Sequence, residues 1–345
     1  MAGTLDPYDS IAMSTSPFDR HRTQTQDEAE NLAKLLARAE QWEAAGRFDK
    51  AAEILDGALD RHPNHPELMV RLGFASLRIG DQVRAESLAQ SALRHDPQSL
   101  SARKLLSAVL LRGDSYLAVL GQLHTLRKPR TYIEIGVWEG QSLRLAQPGT
   151  NAIGVDPDPR IAGDLPGHIR VMRETSDEFF ARRNVRAELG GQAVELSFID
   201  GMHRFEFALR DFINLEACSE ESALILLHDC YPLDALSADP TPPAETDFWT
   251  GDIWRTVLAL RRHRPDLEVV TLACPPSGLG LVRSLNPGSR VLQDRYEQIV
   301  REMLAYDFAS FEPSKDRELN LVPGDWPSVA RFLEGPVDSA STETN

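Results

Sequence analysis

Two apolar runs of this chain end in side chains that can do chemistry together. FID200-G-M-H203 closes one and LLH228-D229 closes the next, with Asp200 and Asp229 separated by 29 positions. Two carboxylates and an imidazole brought to one place can hold a divalent cation. Magnesium prefers oxygen donors and keeps several waters, so two aspartates plus substrate hydroxyls would suffice. His228 fits magnesium poorly, which leaves a softer metal or one ligand fewer. Two earlier runs end in Glu134-Ile-Gly136-Val-Trp-Glu-Gly140-Gln-Ser142 and Gly154-Val-Asp156. A glycine directly after a strand lets the backbone turn tightly and approach a ligand closely. Asp156 follows Gly136 by 20 positions, where an acid can accept hydrogen bonds from two ribose hydroxyls. Taken alone, G-x-x-x-G also occurs as a plain structural turn.

The dinucleotide pattern G-x-G-x-x-G is absent, because Trp138 and Glu139 stand inside the loop. A loop of this kind is ill suited to a pyrophosphate, which favours S-adenosylmethionine over NAD. Cys230 beside Asp229 has no separate base to activate it and reads as structural.

The elements that must position these residues follow from the hydrophobic pattern. Short apolar strands are predicted at 131–137, 151–156, 168–172, 193–200, 222–229, 267–272 and 278–282, with helical stretches such as SDEFFARRNV and FEFALRDFINLEAC between them. Alternating strands and helices predict an α/β doubly wound, mostly parallel sheet, in which ligands bind beyond the carboxyl ends of the strands. Residues 231–252, rich in proline and carrying Trp249, form a long loop of the sort that acts as a lid or a substrate wall. Asp252 can cap the helix IWRTVLALRRH, and the basic run 261–264 reads as that helix's end.

Ahead of the strands the chain repeats. Gly46, Ala51, Ala58 and Pro63 recur as Gly80, Ala85, Ala92 and Pro97, each shifted by 34. This period matches the tetratricopeptide repeat, in which glycine opens the turn, alanine lets helices approach and proline ends the second helix. A plain helical bundle is the competing reading. Residues 1–28 and the end of the chain, poor in large apolar residues, are expected to be disordered. The expected domains are therefore a lead over 1–28, helical repeats over 29–115, an α/β domain over 116–312 and an extension over 313–345.

With 37 Lys+Arg against 52 Asp+Glu, the formal charge is −15, which disfavours polyanionic partners such as nucleic acid or an anionic membrane. Three unpaired cysteines fit a reducing compartment, and the first 20 residues carry neither the basic start nor the apolar core of a secretory signal. A cytoplasmic protein is expected.

Together, E-x-G-x-x-x-G-x-S, V-D, F-I-D-G-x-H and L-L-H-D resemble the class I S-adenosylmethionine-dependent methyltransferases, and within them the branch that includes bacterial sugar and macrolide-sugar O-methyltransferases. The resemblance covers roughly residues 116–285. It implies that Glu134, Gly136, Gly140 and Ser142 contact the cofactor's methionine part and Asp156 its ribose. Ser176 and Asp177 would border the adenine, although Ser-Asp is equally a helix cap. Asp200 would adjoin the cofactor. His203 would be the general base, with Asp200, His228 and Asp229 as the metal set for Mg2+ or another divalent cation. The implied acceptor is a small molecule, a sugar in first place, and the repeats imply a protein partner. Two alternatives share these motifs: an interaction protein with a retired methyltransferase fold, and a related hydroxylase.

Overall fold

The computed structural model describes residues 17–242 and 248–335, and the chain divides into two compact units after Leu105. In the first unit lie α1 (Pro17–Ala44), α2 (Phe48–Leu59), α3 (Pro66–Arg78) and α4 (Gln82–His95), while α5 (Leu100–Leu110) runs across the boundary. The repeat signature has a structural cause at each position. Gly46 and Gly80 take the left-handed turn between paired helices, at φ +70° and +87°. Ala51, Ala58, Ala85 and Ala92 are fully buried, where a larger side chain would force the helices apart. Leu55, Leu68 and Leu72 complete that core. Of the expected disordered lead, residues 1–16 lie outside the described residues, and α1 already begins at Pro17.

The second unit opens with α6 (Tyr116–Arg127), capped by Ser115, whose hydroxyl accepts from the Ala118 amide. Its strands are β1 (Thr131–Ile135), β2 (Asn151–Val155), β3 (Ile169–Met172), β4 (Val194–Ile199), β5 (Ser219–His228), β6 (Glu268–Ala273), β7 (Leu279–Arg283) and β8 (Leu321–Pro323). They form one sheet in the order β3-β2-β1-β4-β5-β7-β6-β8, parallel except where β7 runs against β5 and β6. β1 is buried along its whole length, as a strand covered on both faces must be. The helices are α7 (Ser176–Arg182), α8 (Val185–Glu188), α9 (Phe205–Cys218), α10 (Trp254–His263), α11 (Val291–Asp294), α12 (Tyr296–Ala305), α13 (Phe308–Phe311), α14 (Lys315–Glu318) and α15 (Trp326–Glu334).

Two features differ from the expected pattern. The fifteen residues between β1 and β2 hold only a 3-10 turn, Leu143–Leu145, which stops short of Pro148 and Gly149, residues that cannot carry a helix on. Past residue 312, β8 pairs with β6, and Val329 and Trp326 of α15 pack on the sheet's core. Residues 336–345, expected to be disordered, lie outside the described residues.

Strand order places the site. From β1 the chain winds outward through β2 and β3, then returns to lay β4 on the other side of β1. That reversal opens a crevice at the carboxyl ends of β1 and β4, where doubly wound sheets take their ligands.

Candidate active site

The crevice is made by unusually close backbone approach. Gly136 follows β1 at φ +82°, and a Cβ there would stand 2.0 Å from the Asp200 carbonyl oxygen beyond β4. Farther along, the 137–143 loop folds back over β2, so that a Cβ on Gly154 would strike Val137 and Leu143 at 2.6 and 2.7 Å. Asp156 ties this loop down. Its Oδ2 accepts from the Val137 and Trp138 amides at 2.8 and 2.9 Å, and its Oδ1 from the Asp158 amide at 2.8 Å. Each carboxylate oxygen can accept more than one bond, so the half-exposed Asp156 keeps acceptor capacity toward the crevice.

Glu134 and Ser142, expected against a cofactor, bond to each other. Glu134 is fully buried; Tyr132 Oη donates to its Oε2 at 2.6 Å and Ser142 Oγ to its Oε1 at 2.7 Å. Burial outweighs these donors and pushes the carboxyl up to about 8 from the ordinary 4.5. A raised carboxylate pKa means the folded state holds a proton that the unfolded chain has lost. Stability is therefore expected to fall as pH rises between about 4.5 and 8. Glu134→Gln, neutral at every pH, should match the parent's melting temperature at pH 5 and exceed it at pH 8. An unchanged difference across that range would show the carboxyl to be ionised throughout.

At the ends of β4 and β5 the four residues predicted to act together do meet. His228 Nδ1 lies 3.0 Å from Asp200 Oδ1 and 3.3 Å from Asp229 Oδ2, while His203 Nε2 lies 3.1 Å from Asp229 Oδ2 and 3.6 Å from Asp200 Oδ1. They line a cavity of about 10 Å³, room for one water or one ion. His203 and Asp229 stand at φ +50° and +57°, a conformation that non-glycine residues adopt at a cost and that clusters at functional sites.

Electrostatics favours the charged forms of Asp200, His203 and His228 in the metal-free state. Burial opposes ionisation of Asp200, but the His228 and His203 rings outweigh it and hold the carboxyl far below its usual range. Burial likewise opposes the His203 cation, yet Asp229 and Asp200 push that imidazole up to about 9. His228 is raised well above its ordinary value by the same two aspartates, against its own burial.

The donor set for a cation differs from the expected one. Ligand atoms of Asp200, His203 and Asp229 lie within 4.8 Å of one another, so His203 takes the place given to His228. His228 instead hydrogen-bonds Asp200 through Nδ1, and its ring lies against Tyr116 with centroids 4.2 Å apart. Two carboxylates and one imidazole around an ion-sized cavity fit a divalent cation.

Other residues hold this arrangement, and several were invisible in the motifs. His203 Nδ1 bonds the Trp249 carbonyl at 3.0 Å, which makes Nδ1 the protonated nitrogen and turns Nε2 toward the aspartates. The Trp249 ring stacks on His203 at 5.0 Å and its Nε1 donates to the Asp239 carbonyl. Asp252, predicted to cap its own helix, accepts from the Phe205 amide at 2.7 Å and so caps α9, fixing the helix that follows His203. Between them Gly251 passes so close that a Cβ would meet the His203 carbonyl oxygen at 1.7 Å. Pro243, part of the same predicted loop, lies outside the described residues.

Neither Ser176 nor Asp177 is the helix cap that their pairing suggests. The cap of α7 is Thr175, in a capping box with Glu178. Asp177 pairs with Arg210 through two bonds of 2.7 and 2.9 Å, and Ser176 bonds Asp211, a buried acid that burial pushes up to about 7. Gly140, at φ +76°, faces Ile161. Cys230 is fully buried and donates to the Leu227 carbonyl, as a structural thiol would.

Comparison with known proteins agrees with this architecture. Residues 133–230 match the sequence model of a methyltransferase domain, and residues 43–110 match that of a tetratricopeptide repeat. No curated protein matches the chain. Among solved structures, an O-methyltransferase of Streptomyces achromogenes involved in tomaymycin synthesis, in complex with S-adenosylmethionine, is 15% identical, covering 60% of this chain and 90% of its own at a TM-score of 0.37. A methyltransferase of Podospora anserina bound to S-adenosylhomocysteine is 14% identical, covering 59% of this chain and 86% of its own at 0.36. An O-methyltransferase of Bacillus cereus, also in complex with S-adenosylhomocysteine, is 12% identical over 57% of this chain and 95% of its own at 0.34. Identities and scores this low leave the functional reading to the chain's own residues.

Proposed function

We infer that this methyltransferase, carrying tetratricopeptide repeats ahead of its catalytic domain, takes its methyl group from S-adenosylmethionine and passes it to a hydroxyl of a small polyhydroxylated acceptor, a sugar in first place. The observation that carries the reading is the switch-point crevice with Asp156 on one side and the His203–Asp229 pair on the other. A nucleoside fits the first side, since Asp156 offers oxygen acceptors at the end of β2. The carboxylates suit a cationic cofactor rather than a pyrophosphate.

S-adenosylmethionine, when bound, supplies a methyl group already activated on a sulfonium. The protein's task is then alignment and removal of one proton. His203 is built for the second: its Nδ1–H is committed to the Trp249 carbonyl, so Nε2 is the nitrogen that accepts the acceptor's hydroxyl proton. With a sulfonium in the crevice the imidazolium would be disfavoured and Nε2 left free to take the proton. Asp229 and Asp200 hold the proton once it has arrived. A divalent cation on Asp200, His203 and Asp229 would supply Lewis-acid lowering of the hydroxyl pKa. It would also claim Nε2, so ligand and base are exclusive roles for His203.

The catalytic domain is proposed to extend past 312, because β8 and α15 complete the sheet. The repeats would dock a protein partner. No helix among the described residues is long and apolar enough to cross a membrane, and a cytoplasmic site of action fits the cysteine usage.

Calorimetry with S-adenosylmethionine tests the cofactor reading. Binding is expected in the parent and should be lost in Asp156→Ala. Asp156→Asn, which keeps an oxygen for the loop amides, should bind with intermediate affinity. A parent that binds nothing at millimolar concentration would instead favour a retired enzyme. A product heavier by roughly 14 mass units marks methyl transfer, and roughly 16 marks the hydroxylase. Loss of turnover in EDTA, restored by a divalent cation, would assign the metal role to His203.

A further inference from the structure

One acid beside the cluster belongs to none of the motifs. Asp211 stands in the second turn of α9 and is 3% exposed, on a buried face shared with Phe205, Ala208, Leu209, Phe212 and Leu215. With Ala208 and Ile253 it lines the same small cavity as Asp200, His203, His228 and Asp229. Its carboxyl lies over Gly201, where a Cβ would stand 3.9 Å from Oδ2. Ser176 bonds this carboxyl, yet Oδ1 finds no hydrogen-bond partner among the described residues.

Core packing does not account for this side chain. A buried carboxylate oxygen without a partner carries its full desolvation cost, so it calls for one. Glu216, the other acid buried on α9, meets that cost with Arg264. Arg210, next to Asp211 in sequence, is turned to Asp177 instead, with bonds of 2.7 and 2.9 Å. What Asp211 borders in its place is the cavity, whose volume of about 10 Å³ admits one water-sized particle.

Ligand atoms of Asp200, His203 and Asp229 converge within 4.8 Å of one another, and Asp211 stands outside that set. Direct ligation is thus left to those three, and a water on the cation is the group of the right size to reach the fourth acid. Magnesium and manganese keep such waters, and a carboxylate that accepts from them steadies the whole ligand shell. Resting on the cation reading above, we propose that Asp211 is a positioning residue of the metal site, its Oδ1 accepting a hydrogen bond from a water that the cation holds in this cavity. The bridge ties α9 to the ends of β4 and β5. Asp211 itself touches neither cofactor nor acceptor and moves no proton.

The probe is Mn2+, added to the full chain of the parent, Asp211→Asn and Asp211→Leu. In the parent, pulsed electron–nuclear double resonance should show water protons strongly coupled to the bound ion. The Mn2+ dissociation constant should rise roughly 10-fold in Asp211→Asn and up to about 100-fold in Asp211→Leu. The metal-free melting temperature should hold or rise in both, because each change removes an unpaired buried carboxyl. A merely structural role would lower the melting temperature and leave the Mn2+ constant where it was. That result, or a bound Mn2+ without water in the parent, would overturn the role of Asp211 and leave the cation reading intact. The water signal comes from the parent alone, so the proposal stays falsifiable even where a variant fails to fold. A parent that binds no Mn2+ at millimolar concentration would overturn both.

Discussion

His203→Ala is expected to reduce methyl transfer by about 10²- to 10⁴-fold, the range removed with a general base. Cofactor affinity should hold or improve. In the metal-free state His203 carries a proton at neutral pH because Asp229 and Asp200 overcome its burial, so deleting it leaves a more acidic crevice for a sulfonium. A simple structural role would lower binding and turnover together. His203→Asn is the companion variant, since the residue sits at φ +50°, where asparagine is among the better-tolerated side chains. Turnover near that of the parent in either variant, with saturating cofactor, would remove the base assignment.

Arg264→Met should destabilise the second unit by about 3–5 kcal/mol, a fall in melting temperature of roughly 6–20 °C. The basic run 261–264 reads in sequence as a helix end, and its first three residues do form the last turn of α10. Arg264 lies just beyond and is 1% exposed. Its guanidinium makes two bonds to Glu216, at 2.6 and 2.8 Å, and further bonds to Asp266. Glu216 is also buried and accepts from the Asn286 amide. Removing the arginine strands that carboxylate without a cation, which is why the loss exceeds that of a surface pair. Replacing both partners with apolar residues should recover much of the stability, as chemical denaturation of the double variant would show. A single-variant loss below about 1 kcal/mol would mean that solvent reaches the pair.

The strands and the helices beside the site were legible because each rests on a local signal. Seven of the eight strands were readable as short apolar runs, whereas β8 has only three residues and a proline, too little pattern to stand out. The 34-residue repeat was equally plain, since Gly46 and Gly80 need a positive φ and the paired alanines need to be small. Asp156, Asp200, His203, His228 and Asp229 were found for the same reason: a doubly wound sheet forces its chemistry to strand ends, and strand ends are visible in sequence.

What residue types and spacing determined by themselves was therefore which side chains reach the crevice. Their division of labour was decided by tertiary structure, through contacts between residues far apart in the chain. His203 joins His228 at the aspartates because Trp249, 46 positions later, bonds its Nδ1 and aims Nε2 inward. Glu134 accepts from Tyr132 and Ser142 because the 137–143 loop folds back over Gly154. Asp252 caps α9 instead of its own helix, and Tyr116 arrives beside His228 from a helix that carries no motif. A spacing in sequence encodes turns and strand ends, whose geometry is local. A hydrogen bond across 46 residues depends on the packing of the whole sheet, and only the folded chain supplies it.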